Sequence, residues 1–408
     1  MLTTVPSAVN ANKRRPRRVS NSTPYHHVRF VVDHTIEDAP VCDAVSRVAA
    51  AMVSKLRVHA AANVIELLVQ KLVVLQTTPI LDSGLVTWLL DPLRPYGTGS
   101  SFVGDLLQSL PNSFYHFEPL HFLSNPVLND SFVEARSVLD KVFRCNVSSI
   151  EGFLKWQRKN KGYMKFKRSF NYWKECSRKN ACYNGSYIDA YCRRHNMIIA
   201  KTIRIKLSDA IEIFNTHPHL NLKIIYLARD PRGSINSRTK FPVSQWCKRD
   251  PMCINPNYFC SALSEDLKTV CTLSKERPED FMVLRYEDLS LDPFGTTSRL
   301  VQFLGFQSIP PETETFLNTH TSVIGNVRDK YRTQGVDYPY STFRNSSITA
   351  TSWRLQMSFK RMALLQTTCQ TALTGLGFYS YSTVASLRSN INFDTNVDDA
   401  IRAFCSGN

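Results

Sequence analysis

Three groups of residues have the types and spacing to grip phosphate. Gly97-Thr98-Gly99-Ser100-Ser101-Phe102 lies between an expected strand and an expected helix. Its glycines let the backbone approach a phosphate closely. Its N–H groups and hydroxyls can donate to phosphate oxygens, and the helix N-terminus adds a favourable dipole. The spacing is not that of the nucleotide loop G-x-x-x-x-G-K-[ST]. The second group runs from Arg229 through Asp230-Pro231-Arg232-Gly233 to Ser237-Arg238. Arg229 closes an apolar run, and Asp230 and Pro231 suit the N-cap and first position of a helix. Ser237 falls two turns in. A guanidinium and a hydroxyl so placed can clasp one phosphate from two sides. The third group is Arg285-Tyr286-Glu287-Asp288-Leu289, followed by Asp292-Pro293. Its charges read as an ion-pair network at a strand end.

The elements that must position these groups alternate. Strands are expected over residues 84–88, 196–205, 222–228 and 281–286. Helices are expected over 41–76, 100–110, 208–214 with Ser208 as N-cap, from Pro231, over 294–304 with Gly305 as the stop, and over 358–373. The run 222–228 is continuously apolar, as in a strand buried on both faces. This order predicts an α/β fold with a central parallel sheet flanked by helices. Such sheets bind ligands outside the carboxyl ends of their strands. The expected organisation is a basic, poorly ordered lead (1–40), a helical segment (41–80) and a main domain (81–380). That domain carries a basic, cysteine-bearing insertion (145–194), and a tail (381–408) follows.

With 43% hydrophobic residues over 408 positions, the chain can bury a sizeable core, which excludes disorder as its dominant state. Fifty basic residues against 34 acidic ones give a formal charge of +16. Residues 60–81 come nearest to a membrane span, but Glu66 and Lys71 interrupt them, and residues 1–40 lack the apolar centre of a signal peptide. One basic cluster is Lys13 to Arg18. Residues 155–179 hold ten basic side chains against Glu175, with Trp156, Tyr163, Phe166, Phe170, Tyr172 and Trp173 between them. Such a mixture suits nucleic acid, an anionic glycan or a solvated basic loop. The 11 cysteines include no C-x-x-C pair. Gaps of five, six and nine intervening residues, as in Cys176 to Cys182, Cys247 to Cys253, Cys253 to Cys260 and Cys182 to Cys192, fit loop-closing disulfides, and the odd total leaves at least one thiol unpaired or intermolecular. Sequons at Asn21, Asn129, Asn146, Asn184 and Asn345 point the same way, to an oxidising lumen. No His/Asp/Glu set has metal-ligand spacing, so no metal is expected.

Taken in order, the motifs resemble the Golgi carbohydrate sulfotransferases, in particular the galactose/N-acetylglucosamine 6-O-sulfotransferase branch and its arthropod-like members. The resemblance covers residues 85–379. Thr98–Phe102 is similar to the family's 5′-phosphosulfate loop, Phe114-Tyr115-His116-Phe117-Glu118-Pro119 to its F-Y-x-x-E-P segment, and Arg229–Arg238 to its 3′-phosphate motif. Arg285–Leu289 with Asp292-Pro293, Tyr340-Ser341-Thr342, Trp353-Arg354, and Trp246-Cys247 with Cys253 and Cys260 follow in the family's order. The resemblance implies a P-loop NTPase-like sulfotransferase fold. It implies transfer of a sulfuryl group from 3′-phosphoadenosine 5′-phosphosulfate to a sugar hydroxyl, expected to be the 6-hydroxyl of N-acetylglucosamine or galactose. Thr98, Gly99, Ser100, Ser101 and Phe102 would hold the 5′-phosphosulfate; Arg229 and Ser237 would hold the 3′-phosphate. Trp353 and Arg354 would close over the donor. Glu118 is the expected general base, with His116 as the second candidate. The partner would be a glycan acceptor on glycoprotein or glycosaminoglycan, met by the basic 155–179 segment, and not nucleic acid. The setting would be the Golgi, with the family's membrane anchor missing from this sequence.

One slot departs from the family. Gly97 stands where an arginine normally precedes the loop, and residues 89–96 read as an insertion behind the strand. Arg94 is the nearest cation, with Pro95 restricting how it can be aimed. Losing one such donor costs about 10²–10³ in rate. An imperfect gene model, substitution by Arg94, or a catalytically impaired glycan- or nucleotide-binding relative are the readings this leaves.

Overall fold

The computed structural model describes residues 85–90, 99–123, 132–160, 168–203, 205–216, 220–240, 247, 253, 255–321, 342, 345–392 and 394–407. The expected lead, the helical segment, Gly97, Thr98 and Arg94 lie outside them.

Five strands form one sheet in the order β2-β3-β1-β4-β5. They are β1 (Leu85–Leu90), β2 (Ser113–Phe117), β3 (Met197–Thr202), β4 (Asn221–Ala228) and β5 (Phe281–Arg285). Every pairing is parallel, so the α/β expectation holds. β1 runs two residues further than its apolar signal. Leu89 and Leu90 pair with Lys201 and Thr202 on one side and with Ile225 and Tyr226 on the other. Those two residues therefore belong to the strand, not to an insertion. β2 was not among the expected strands: all five of its residues are buried, so it shows no in–out alternation.

The period-two geometry of a strand sorts side chains to two faces. Phe114, Ile198, Ala200, Ile224 and Tyr226 enter one apolar cluster with Phe259, Leu263 and Leu373. Tyr115, Phe117, Ile199, Ile225 and Leu227 enter a second with Val103, Leu107 and Leu300. Helices therefore cover both faces, and the sheet interior stays apolar up to its carboxyl edge.

Local signals set most helix ends. Asp230 accepts from the Arg232 N–H at 2.8 Å, with Pro231 in the first turn. Gly305 takes φ +89° just beyond Pro293–Phe303, a conformation glycine adopts without steric cost. The helix expected to open at Ser208 begins at Leu207 instead. The expected 358–373 helix is two helices, Phe359–Thr368 and Gln370–Gly375, with Ser358 capping the first.

Ten of the cysteines pair: Cys145–Cys192, Cys176–Cys182, Cys247–Cys253, Cys260–Cys369 and Cys271–Cys405. The last two tie the helix Pro256–Glu276 to chain 109 and 134 residues away. Closing loops of that length restricts the unfolded chain by about 4–5 kcal/mol each in chain-entropy accounting. Residues 381–408 hold two helices, Val384–Arg388 and Val397–Ser406, with Leu387 and Ile401 buried.

Candidate active site

The carboxyl ends of the strands bring the singled-out residues to one edge. Gly99 follows β1, Glu118 follows β2, and Lys201 lies near the end of β3. Arg229 follows β4, and Tyr286 and Glu287 follow β5.

On the β1–β4–β5 side the helix Ser100–Leu107 opens at Gly99, which has φ +85° and contributes no side-chain cap. A Cβ at Gly99 would fall 2.2 Å from Cδ2 of Tyr286. The turn thus needs glycine twice over, for its backbone conformation and for its approach to the ring. Helix N-terminal donors left without a side-chain cap make a ready place for an anion. The Arg229 guanidinium lies over the same Tyr286 ring, 4.4 Å from its centroid. Its Nε is buried without a hydrogen-bond partner among the described residues, and Glu287 Oε1 stands 3.9 Å away. Burial pushes the Glu287 carboxyl up to about 8, against the pull of Arg229. Glu287 stands beyond hydrogen-bond distance, so the Arg229 Nε keeps a donor that a phosphate oxygen would satisfy.

The two arginines of R-D-P-R divide the work. Arg232 is fully buried and forks onto Asp230, while its other donors reach Gln366 Oε1 and the Tyr379 carbonyl. Ser237 Oγ donates back to the Gly233 carbonyl at 3.0 Å; its lone pairs remain on a half-buried helix surface. Arg285 forms a bidentate pair with Asp288 at 2.6 and 2.9 Å and also donates to the Leu376 and Gly377 carbonyls. The strand-end network read from the sequence is there. Tyr286 and Glu287, enclosed in that motif, were not singled out; their place directly after an apolar strand was the available signal.

On the β2–β3 side Glu118 has φ +48° and is almost fully buried. A non-glycine residue in that region is strained by about 1–2 kcal/mol. Lys201 Nζ donates to Glu118 Oε1 at 3.0 Å, and His121 Nδ1 lies 3.1 Å from Oε2. Lys201 and His121 hold the carboxylate in place at the strand end. Lys201 is a residue the sequence reading placed on a strand without a role. A cation inside an apolar strand was its signal, although the expected strand 196–205 also carried Arg204. Nearby, Asp105 pairs with Arg168 at 3.0 Å, and burial raises its carboxyl to about 6.

His116 takes no part in this cluster. Its side chain points to the opposite face of β2, packs edge-on to Phe114 and approaches Cys192 Sγ at 4.0 Å. Burial lowers it to about 3, so it stays neutral and is a poor proton acceptor. Trp353 is also core: it packs on Gly233 and under the Arg232 guanidinium. Arg354 is held by the carbonyls of Ser386, Leu387 and Ser389. These carbonyls take its donors, so it does not reach towards the phosphate edge. Ser100 is buried; Ser101 and Phe102 are half-buried, and the Phe102 ring meets Phe316 at a tilt. Lys155, Arg158, Lys159, Lys174, Arg178 and Lys179 are exposed, so this part of the insertion presents positive charge. Among the described residues no group of three or more His, Cys, Asp or Glu could hold a metal, and no helix is long and apolar enough to cross a membrane.

Comparison with known proteins adds a family. Residues 96–377 match the Sulfotransferase domain. Carbohydrate sulfotransferase 1 of Danio rerio is 28% identical over 335 residues, covering 72% of this chain and 78% of that one. Carbohydrate sulfotransferase 4 of Mus musculus is 24% identical over 322 residues, covering 70% and 80%. Among solved structures, the sulfotransferase domain from the Synechococcus PCC 7002 olefin synthase aligns over 73% of this chain and 95% of its own, at 18% identity and a TM-score of 0.40.

Proposed function

The chain belongs to the sulfotransferase domain family, and from that premise we propose that it moves a sulfuryl group from 3′-phosphoadenosine 5′-phosphosulfate to a carbohydrate hydroxyl, the 6-hydroxyl of N-acetylglucosamine or galactose. The observation that carries this is the single strand-end edge with an anion-ready helix N-terminus at Gly99 and Ser100, a buried Arg229 whose Nε has no hydrogen-bond partner among the described residues, and an oriented Glu118. The acceptor oxygen attacks sulfur in line. The bond from sulfur to the bridging phosphate oxygen breaks, and the hydroxyl proton passes to Glu118. Charge then grows on the leaving phosphate and spreads over the equatorial sulfuryl oxygens, as in phosphoryl transfer.

Each residue has a role in that step. Gly99, Ser100 and Ser101 hold the 5′-phosphosulfate with donors fixed in advance, which is where such sites gain most, and Thr98 joins them by its place in the sequence motif. Arg229 and Ser237 hold the 3′-phosphate. Lys201 keeps Glu118 turned towards the acceptor. The exposed cations Lys155, Arg158, Lys159, Lys174, Arg178 and Lys179 meet an anionic glycan. The relatives' names as carbohydrate sulfotransferases support the acceptor class, and five disulfides support a lumenal, Golgi setting.

The test is transfer of labelled sulfate to glycans ending in N-acetylglucosamine or galactose. It is run on this chain and on a variant with residues 91–97 replaced by one arginine. Transfer by the chain itself is expected, with a faster rate in the variant. Silence in both, together with no binding of 3′-phosphoadenosine 5′-phosphate, overturns the reading.

A further inference from the structure

Between β2 and the disulfide-bonded insertion helices lies a chamber of about 40 Å³, whose lining includes His116, Phe117, Gln157, Tyr172, Trp173 and Tyr183. Its walls are fixed. Cys176–Cys182 closes the turn beside Tyr183, Tyr172 Oη donates to the Cys182 carbonyl at 3.0 Å, and the Trp173 and Tyr183 rings meet edge to face. Gln157 Oε1 is buried and has no hydrogen-bond partner among the described residues; of the other lining residues Tyr115 also has such an atom, its Oη, which lies against Gly104. An acceptor left dry among aromatic rings is costly unless a ligand brings the donor.

The chamber adjoins the acceptor side of the site. Phe117 and Pro119, which flank Glu118 in the chain, both line it. Lys201 Nζ, the partner of Glu118, lies 4.6 Å from the Phe117 ring centroid. Size and chemistry narrow the occupant. One water needs about 10–15 Å³ on this measure, so the space admits a group of about four heavy atoms and not a sugar ring. Among the described residues no lysine or arginine lines it, and its walls are mostly aromatic, which suits a neutral group with an apolar end.

Resting on the carbohydrate-acceptor reading above, we propose that this chamber is a specificity subsite for the acetamido group of a 2-acetamido-2-deoxyhexose. The amide N–H donates to Gln157 Oε1, and the methyl group packs on the aromatic walls. A 2-hydroxy sugar would leave those walls facing vacant space.

Saturation-transfer NMR on the full chain with methyl N-acetylglucosaminide and methyl galactoside tests this without any turnover. The acetyl methyl protons should receive the strongest saturation. Gln157→Leu should weaken the acetamido sugar by about tenfold and leave the galactoside and 3′-phosphoadenosine 5′-phosphate binding unchanged. Equal weakening of both sugars, or ring protons saturated as strongly as the methyl, overturns the subsite. Should Gln157→Leu fail to fold, seen as loss of nucleotide binding, Ile188→Phe fills the chamber and decides the same question. Absence of sulfate transfer would count against the catalytic reading alone, because the NMR signal does not depend on it.

Discussion

On the β4–β5 side of the edge, the residues that face phosphate come from short continuous motifs, and each motif supplies its own scaffold. Asp230 caps the helix behind Arg229, Arg232 braces Asp230, and Arg285 locks onto Asp288 three residues later. On the β2–β3 side the charged partners are distant, although His121 also meets Glu118 from three residues on. Glu118 is held by Lys201, 83 residues away, and Asp105 by Arg168, 63 residues away. The surrounding wall depends on Cys145–Cys192 and Cys176–Cys182. A site for an invariant phosphate can be written as backbone turns and strand-end arginines. A site for a variable acceptor is assembled from side chains that only the fold brings together.

Two substitutions strain this contrast most. Lys201→Met should cost about 3–5 kcal/mol of stability, because it leaves Glu118 buried without its main cation. The double variant Glu118→Gln with Lys201→Met should recover most of that loss in urea unfolding yet show no transfer. An unfolding midpoint unchanged by Lys201→Met would show that the pair does not hold the acceptor side. Arg229→Lys should leave the unfolding midpoint nearly unchanged and lower kcat/KM for the donor by about 10²–10³-fold, since an ammonium cannot reproduce the guanidinium fork over Tyr286. A loss below tenfold would remove Arg229 from the phosphate side.

The same contrast explains what could be read from the sequence. β4 announces itself as an apolar run, and Arg229 and Asp230 follow from its end and from a cap with proline. The Arg285–Asp288 pair needed only three residues of spacing. β2 did not announce itself, because S-F-Y-H-F is buried throughout and has no period. That blindness carried His116 into the site; a strand assignment would have set it on the face opposite Tyr115 and Phe117. Trp353 and Arg354 came by resemblance, and burial against Gly233 and the 386–389 carbonyls explains why such residues can be shared without touching substrate. Lys201 was visible only as an anomaly. The partners that make it meaningful lie far along the chain.

A smaller effect separates the two sides by function. Cys176–Cys182 spans six residues, so removing it as a pair of alanines should cost about 2 kcal/mol. The acceptor KM should rise as the Trp173 and Tyr183 walls loosen, while the dissociation constant for 3′-phosphoadenosine 5′-phosphate stays constant. A matching change in nucleotide affinity would mean that the two sides are mechanically coupled.

The smallest effect per unit change is the most diagnostic, because burial gives the two sides opposite pH signs. Glu287 on the phosphate side moves from its ordinary 4.5 up to about 8. Between those values the folded chain holds a proton that the unfolded chain has released, so this group's contribution to stability falls as pH rises. His116 behind the acceptor side moves from 6.5 down to about 3. There the unfolded chain binds the extra proton, so stability rises with pH up to 6.5 and is lost as pH falls. Each slope is about 1.4 kcal/mol per pH unit within its window. Where the windows overlap, from 4.5 to 6.5, the two cancel and the wild-type profile conceals both. Difference profiles from urea unfolding uncover them. Glu287→Gln should gain on the wild type as pH rises towards 8. His116→Leu should instead gain on it as pH falls from 6.5 towards 3. A flat difference for Glu287→Gln would mean that its carboxyl is ionised beside Arg229. Arg229 would then already be neutralised, and the phosphate side would be left with the open Nε donor alone to suit it to its ligand.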